Sequence, residues 1–124
     1  KFYFRGPAST KVHPREGVGA VVGLPPQARY TASMQAIAGT TRTLAAYWAP
    51  DVRVNCLAPG YVITEVTEGV RGNDEIREEL LDGIPARRFA EPEEIAGTAV
   101  YLASDAAGYV TGEVHVVDGG LAAI

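Results

Sequence analysis

The 124-residue chain has almost no cysteine, no long apolar run and no excess of positive charge, and each shortage removes a class of function. Its one cysteine, Cys56, cannot close an internal disulfide and stands in no metal-ligand spacing. It reads as a small buried apolar residue in a reducing compartment. His13 and His115 lie far apart with no acidic partner at ligand spacing, so no metal site is expected. No apolar stretch approaches the roughly 18 residues of a membrane span, and no hydrophobic signal core with a cleavage site opens the chain. The expected setting is therefore the cytoplasm, with no membrane partner. Eleven Lys and Arg against fifteen Asp and Glu give a formal charge of −4. Acids and bases are interspersed, no phosphate-binding surface is in view, and nucleic acid is not expected as a partner.

What is present is the composition of a globular protein, 47% hydrophobic and 21% charged, with length for one modest core. Residues 1–16 mix aromatics, bases and prolines without a helical or alternating period, so they are expected to be irregular. Residues 17–27, GVGAVVGLPPQ, suit a loop leaving a buried strand. From Ala28 to Trp48 the residues Ala32, Ile37, Thr41, Leu44, Ala45 and Trp48 recur at helical steps, and Pro50 ends the run. Val52 to Ala58, β-branched and followed by Pro59-Gly60, predicts a buried strand. Val62 to Gly72 is ambiguous. Further helices are predicted over Asp74 to Leu81 and over Glu91 to Ser104, where Pro92 and a cluster of acids mark the start. Glu113 to Val117 alternates as a strand that Asp118-Gly119-Gly120 terminates. Helices alternating with strands are the pattern of a parallel sheet, because parallel strands need crossovers.

The pieces Tyr-x-Ala-Ser at Tyr30 to Ser33, Arg-Val-Asn with Pro-Gly at Arg53 to Gly60, and Val-Thr-Gly with Val-Asp-Gly-Gly at Val110 to Gly120 carry a resemblance. In this order and spacing the chain resembles the C-terminal half of a short-chain dehydrogenase/reductase, with residues 17–124 as that part of a Rossmann domain. The resemblance implies an α/β fold, a partial Rossmann-like doubly wound parallel sheet. It implies an NAD(P)-dependent oxidoreductase that interconverts small alcohols and carbonyls by hydride transfer. Tyr30 would exchange the substrate proton. Pro59, Gly60, Val62 and Thr64 would form the nicotinamide-side loop, with the Val62 backbone at the carboxamide and the Thr64 hydroxyl reaching the carboxamide or phosphates. Such loops bind ligand because backbone groups beyond the carboxyl ends of strands are free. Asn55, inside the strand, is expected to satisfy backbone groups instead.

The resemblance also exposes departures. A tyrosine hydroxyl, with a pKa of about 10 in water, is a poor base at neutral pH unless a cation favours the phenolate. The family places a lysine one helical turn after the tyrosine, where this chain has Met34. Thirteen residues before Tyr30, where the family has a substrate-orienting serine, stands Gly17; Ser9 and Thr10 are too far upstream to replace it. The Gly17-Val18-Gly19 run is no dinucleotide fingerprint, because a helix of the catalytic type follows it. The charged residues Arg71, Glu75, Arg77 and Glu78 read as a solvated face. The expectation is a truncated, impaired oxidoreductase. The alternative is a non-catalytic remnant serving as an oligomerisation or interaction module. A partial sheet leaves an apolar edge uncovered, so a homo-oligomer is expected in either case.

Overall fold

The computed structural model describes residues 2–4, 9–13 and 28–123. Gly17 and the glycine-rich run to Gln27 lie outside the described residues. In chain order the elements are β1 (Phe2–Phe4), β2 (Ser9–His13), α1 (Ala28–Trp48), β3 (Val52–Pro59), α2 (Glu68–Arg71), α3 (Asp74–Asp82), α4 (Pro92–Ala103) and β4 (Val114–Val117). The strands form one sheet in the order β1-β2-β3-β4. β1 is antiparallel to β2, with Phe2 opposite Val12. β2 and β4 both run parallel to β3, with Ser9 opposite Val52 and Cys56 opposite Val114.

Two strands thus fall in residues 1–16, which the sequence pattern left irregular, and that expectation is corrected. The segment holds residues suited to strands, Phe2, Tyr3, Phe4, Thr10 and Val12, but no local alternation. What makes it a strand is pairing with the edge of β3, a tertiary partner that no local window contains.

β3 is buried on both faces, so it reads as a continuous apolar run rather than an alternating one. Cys56 and Ala58 face α1 and cluster with Met34, Ala38 and Val114. Leu57 faces α4 and clusters with Leu102 and Ala107, with Ile95, Ala99, Val110 and Val117 packed around them. The result is a helix-sheet-helix sandwich in which each fully buried Leu contributes about 1.5–3 kcal/mol. The inward face of α1 is Met34, Ala38, Thr41 and Ala45, stepping by four, three and four. This face is turned from the expected one: Ala32 is exposed, and Ile37, Leu44 and Trp48 are only partly buried. Small residues win the interior because Cys56 and Ala58 opposite are small, which lets helix and strand backbones approach closely.

The ambiguous stretch after Val62 forms a 3-10 turn over Glu65–Thr67 and the single turn of α2. Asn73 caps α3, its Oδ1 accepting the Ile76 N–H at 3.1 Å. α4 starts as expected, with Pro92 in its first turn and Glu93 and Glu94 near the positive helix end.

Two polar side chains inside the sandwich fix the loop before β4. Arg53, 8% exposed, donates to the carbonyls of Leu102 (2.8 Å), Ser104 (3.3 Å) and Val110 (3.1 Å). It thereby satisfies carbonyls that the end of α4 leaves without helical partners. Asn55, fully buried, donates to the Val110 carbonyl at 2.8 Å and accepts the Glu113 N–H at 3.2 Å. It serves backbone groups, as its place within a strand suggested. Asn55→Ala strands the Glu113 N–H in this interior and leaves the Val110 carbonyl to Arg53 alone. It should lower unfolding stability by about 2–4 kcal/mol, read as a shift of the urea midpoint at unchanged slope; a loss below about 1 kcal/mol would contradict this account.

Candidate active site

α1 runs antiparallel to β3. Its first half packs on Cys56 and Ala58, and its Ala45 meets Gly112, whose N–H donates to the Val54 carbonyl at 2.7 Å. Tyr30, one turn before Met34, is therefore carried to the carboxyl end of β3, the same end from which the Pro59 loop departs. Tyr30 is 40% exposed, so its ring can meet a ligand. The Ser33 hydroxyl does not face outward for chemistry; it donates to the Tyr30 carbonyl at 2.7 Å. Met34 is 7% exposed and belongs to the core. Its side chain is packing, which explains how an apolar residue is tolerated at this position.

The loop after β3 is shaped by close backbone approach. Pro59 pairs with Val117, and the Gly60 N–H donates to the Val117 carbonyl at 3.0 Å. A Cβ on Gly60 would lie 2.8 Å from the Asp118 Cα, so only glycine fits there. Val62 bridges Ala90 in parallel sense, through Ile63 N–H to the Ala90 carbonyl and Ala90 N–H to the Tyr61 carbonyl, both 2.9 Å. That pairing turns Val62's own polar groups the other way. Its carbonyl accepts the Thr67 hydroxyl at 2.7 Å, and its N–H has no partner among the described residues. Thr64 is exposed at the cap position of the following 3-10 turn, and its N–H donates to Thr67 Oγ1 at 3.0 Å. Pro59, Gly60, Val62 and Thr64 are thus brought together in one loop on the rim to which α1 delivers Tyr30.

The floor of this rim is held by Asp118, whose two carboxylate oxygens accept the N–H groups of Gly120 (2.8 Å) and Ala122 (2.7 Å). Beside it, Arg88 grips Glu94 through two bonds of 2.6 and 2.7 Å, while Glu94 also accepts the Glu91 N–H at 2.8 Å. The hydrogen bond from Arg88, then that from the Glu91 backbone, hold the Glu94 carboxyl down at about 2, and the same pair raises Arg88. Arg71 and Arg77 line an open cavity of about 410 Å³ together with Arg87 and Arg88, with the Arg77 side chain still 42% exposed. These arginines were missed because they are spread over α2, α3 and the segment before α4. Among the described residues no group of His, Cys, Asp and Glu could hold a metal ion, and no helix is long and apolar enough to cross a membrane.

Residues 16–122 match the family profile described as enoyl-(acyl carrier protein) reductase, and the chain belongs to the short-chain dehydrogenase/reductase family. It is 52% identical over 104 residues to galactitol 2-dehydrogenase (L-tagatose-forming) of Cereibacter sphaeroides, covering 82% of this chain and 41% of that protein. It is 46% identical over 92 residues to 2-dehydro-3-deoxy-D-gluconate 5-dehydrogenase of Bacillus subtilis, covering 73% and 36%. A gluconate 5-dehydrogenase from Burkholderia cenocepacia J2315, solved in complex with NADP and tartrate, superposes with a TM-score of 0.84 at 31% identity. That match covers 93% of this chain and 44% of the solved one. The chain therefore spans about two fifths of the length of these relatives.

The Arg88–Glu94 pair sets a pH dependence of known sign. The folded carboxyl lies below its ordinary 4.5, so its contribution to stability is complete above about 4.5 and is lost as the pH falls through about 2. An NMR titration of the Glu94 carboxyl should give a midpoint near 2 in the native protein and a higher one in Arg88→Gln, where the Glu91 N–H bond remains. Equal midpoints in the two proteins would show that the pair is absent in solution.

Proposed function

We propose that this chain carries the nicotinamide-side rim and proton-exchanging tyrosine of an NAD(P)-dependent oxidoreductase acting on a small alcohol or carbonyl. The single observation that carries the reading is the convergence of Tyr30 with the Pro59–Thr64 loop at one end of a parallel sheet. The residues present fit the nicotinamide end of such a cofactor. The Val62 N–H is free to donate to a carboxamide oxygen, Gly60 keeps the loop backbone close to Asp118, and Thr64 stands exposed beside them. When bound, the cofactor supplies or receives the hydride. Tyr30 exchanges the substrate's hydroxyl proton, and the loop backbone orients the carboxamide.

Turnover by the chain as given is impaired in this reading. Met34 is buried against β3 and offers no cation to favour a phenolate at Tyr30 or to hold a ribose, and Gly17 has no hydroxyl to orient a substrate. The substrate class is a polyol or sugar derivative, on the names of the relatives, which act on galactitol and on 2-dehydro-3-deoxy-D-gluconate. The proposed setting is the cytoplasm, on the reading of the one buried cysteine. Residues 17–124 form the family's domain segment in this proposal.

A second reading, a non-catalytic interaction module, draws on the same buried Met34 and on the outer surface. Val100 and Tyr101 on α4 and Val116 on β4 are exposed apolar side chains next to an edge strand, a surface suited to self-association. A homo-oligomer is part of both readings, and sedimentation showing a compact monomer at micromolar concentration would remove it from both.

Fluorescence titration with NADH and NADPH, followed by assays on secondary alcohols and ketones, separates the two readings. Saturable nucleotide binding with slow turnover is expected; self-association without nucleotide binding would favour the module. Met34→Lys places an ammonium in the core, should lower stability by about 1–3 kcal/mol, and should leave turnover unimproved. Activity gained from that substitution alone would show that the hydroxyl missing at Gly17 does not limit turnover, and would overturn that part of the reading.

A further inference from the structure

The cavity at the far end of the rim is cationic in a protein of net negative charge. Ile63 and Phe89 give it apolar walls, and Arg71, Arg77, Arg87 and Arg88 line it. Glu91 is the one acidic side chain on its wall among the described residues. Three of the four arginines are already committed. Arg77 pairs with Glu78 at 2.7 Å, Arg87 with Asp82, and Arg88 with Glu94, and none of these acids lines the cavity. Arg71 differs. Its sole contact among the described residues is a long 3.4 Å bond from Nη2 to the Thr64 carbonyl, and its Nε is buried without a partner. A buried donor left unpaired costs free energy, and a planar guanidinium with free donors matches a carboxylate in bidentate fashion. Arg87 adds a second sign of a ligand site. It is the one non-glycine with positive φ among the described residues, at +54°, a strained backbone within the cavity lining.

We propose that this cavity is a subsite for a carboxylate of the substrate, with Arg71 as its principal ligand, so that the chain selects polyhydroxy acids over neutral polyols. The proposal rests on the reading of this chain as part of a nicotinamide-dependent oxidoreductase acting on a small alcohol or carbonyl. It refines that reading by assigning a charge to the substrate. Arg71 is suited to the task because its contact with the Thr64 carbonyl ties the subsite to the loop proposed to hold the nicotinamide.

Calorimetric titration of the chain, without nucleotide, uses sodium D-gluconate as the polyhydroxy carboxylate, galactitol as the uncharged polyol and inorganic phosphate as the alternative oxyanion. Gluconate should bind saturably, weaken at least tenfold in Arg71→Gln, recover in part in Arg71→Lys and weaken with added salt. Galactitol should bind more weakly and be indifferent to the substitution. Circular dichroism establishes that Arg71→Gln is folded; if it is not, the Arg71→Lys and salt series carry the test. No gluconate binding, equal binding to Arg71→Gln, galactitol binding as tight as gluconate, or phosphate binding tighter with the same Arg71 dependence would each overturn the proposal. Because no nucleotide is present, these failures are separate from failure of the redox reading, which shows itself only as absent NADH and NADPH binding.

Discussion

The sandwich depends on a polar strand edge placed inside an apolar layer. β3 contributes backbone and side-chain groups to the segment that leads into β4: Arg53 and Asn55 hold Val110, Asn55 and Cys56 hold Glu113, and Val54 holds Thr111 and Gly112. Buried polar groups of this kind are tolerable only when every partner is met, and here the partners are carbonyls left over by the end of α4 and amides of the loop that follows it. The same contacts that satisfy Arg53 therefore set where α4 stops and where β4 begins. With that register fixed, the ends of β3 and β4 meet at Gly60 and Asp118, and the rim loop has only one path away from the sheet.

The geometry of the rim is set by helix packing and by loop backbone. Tyr30 owes its placement to the packing of α1, of which the buried side chain of Met34 is a part. A lysine there must extend its charge toward the rim, whereas methionine fills the space between Ala38 and the small residues of β3. At this position the chain has a buried apolar contact and no cation. The backbone features of the loop, the open Val62 amide and the close approach at Gly60, do not depend on it and persist.

Much of this arrangement was legible from local pattern. α1 was delimited correctly because its periodic small residues end at a proline, and β3, α3, α4 and β4 were placed to within a residue or two because caps, prolines and β-branched runs act locally. The strands at Phe2–Phe4 and Ser9–His13 were not legible, since their identity comes from pairing with β3 and not from their own alternation. That Tyr30 lies near the start of a helix and Gly60, Val62 and Thr64 follow a strand was legible because α1 and β3 were. The arginine-lined cavity was not, since Arg71 and Arg77 lie on helices whose exposed faces read as solvated charge, and only the packing of α2 and α3 on the segment before α4 brings them to Arg87 and Arg88. The orientation of α1 was half legible: its period was evident, but which of two neighbouring stripes turned inward was decided by the small residues of the strand it covers.

The parallel pairing of β3 with both neighbours has a kinetic consequence. The bonds that lock Arg53 and Asn55 join residues 57 and 58 positions apart in the chain, and no short hairpin lies at the centre of the sheet. Chain entropy must be spent on long loops before these contacts return anything, so the core closes late and folding is expected to be slow for a chain of this size. Until α4 docks, β3 is an apolar strand with open edges, and the nascent protein spends that interval most exposed to wrong partners.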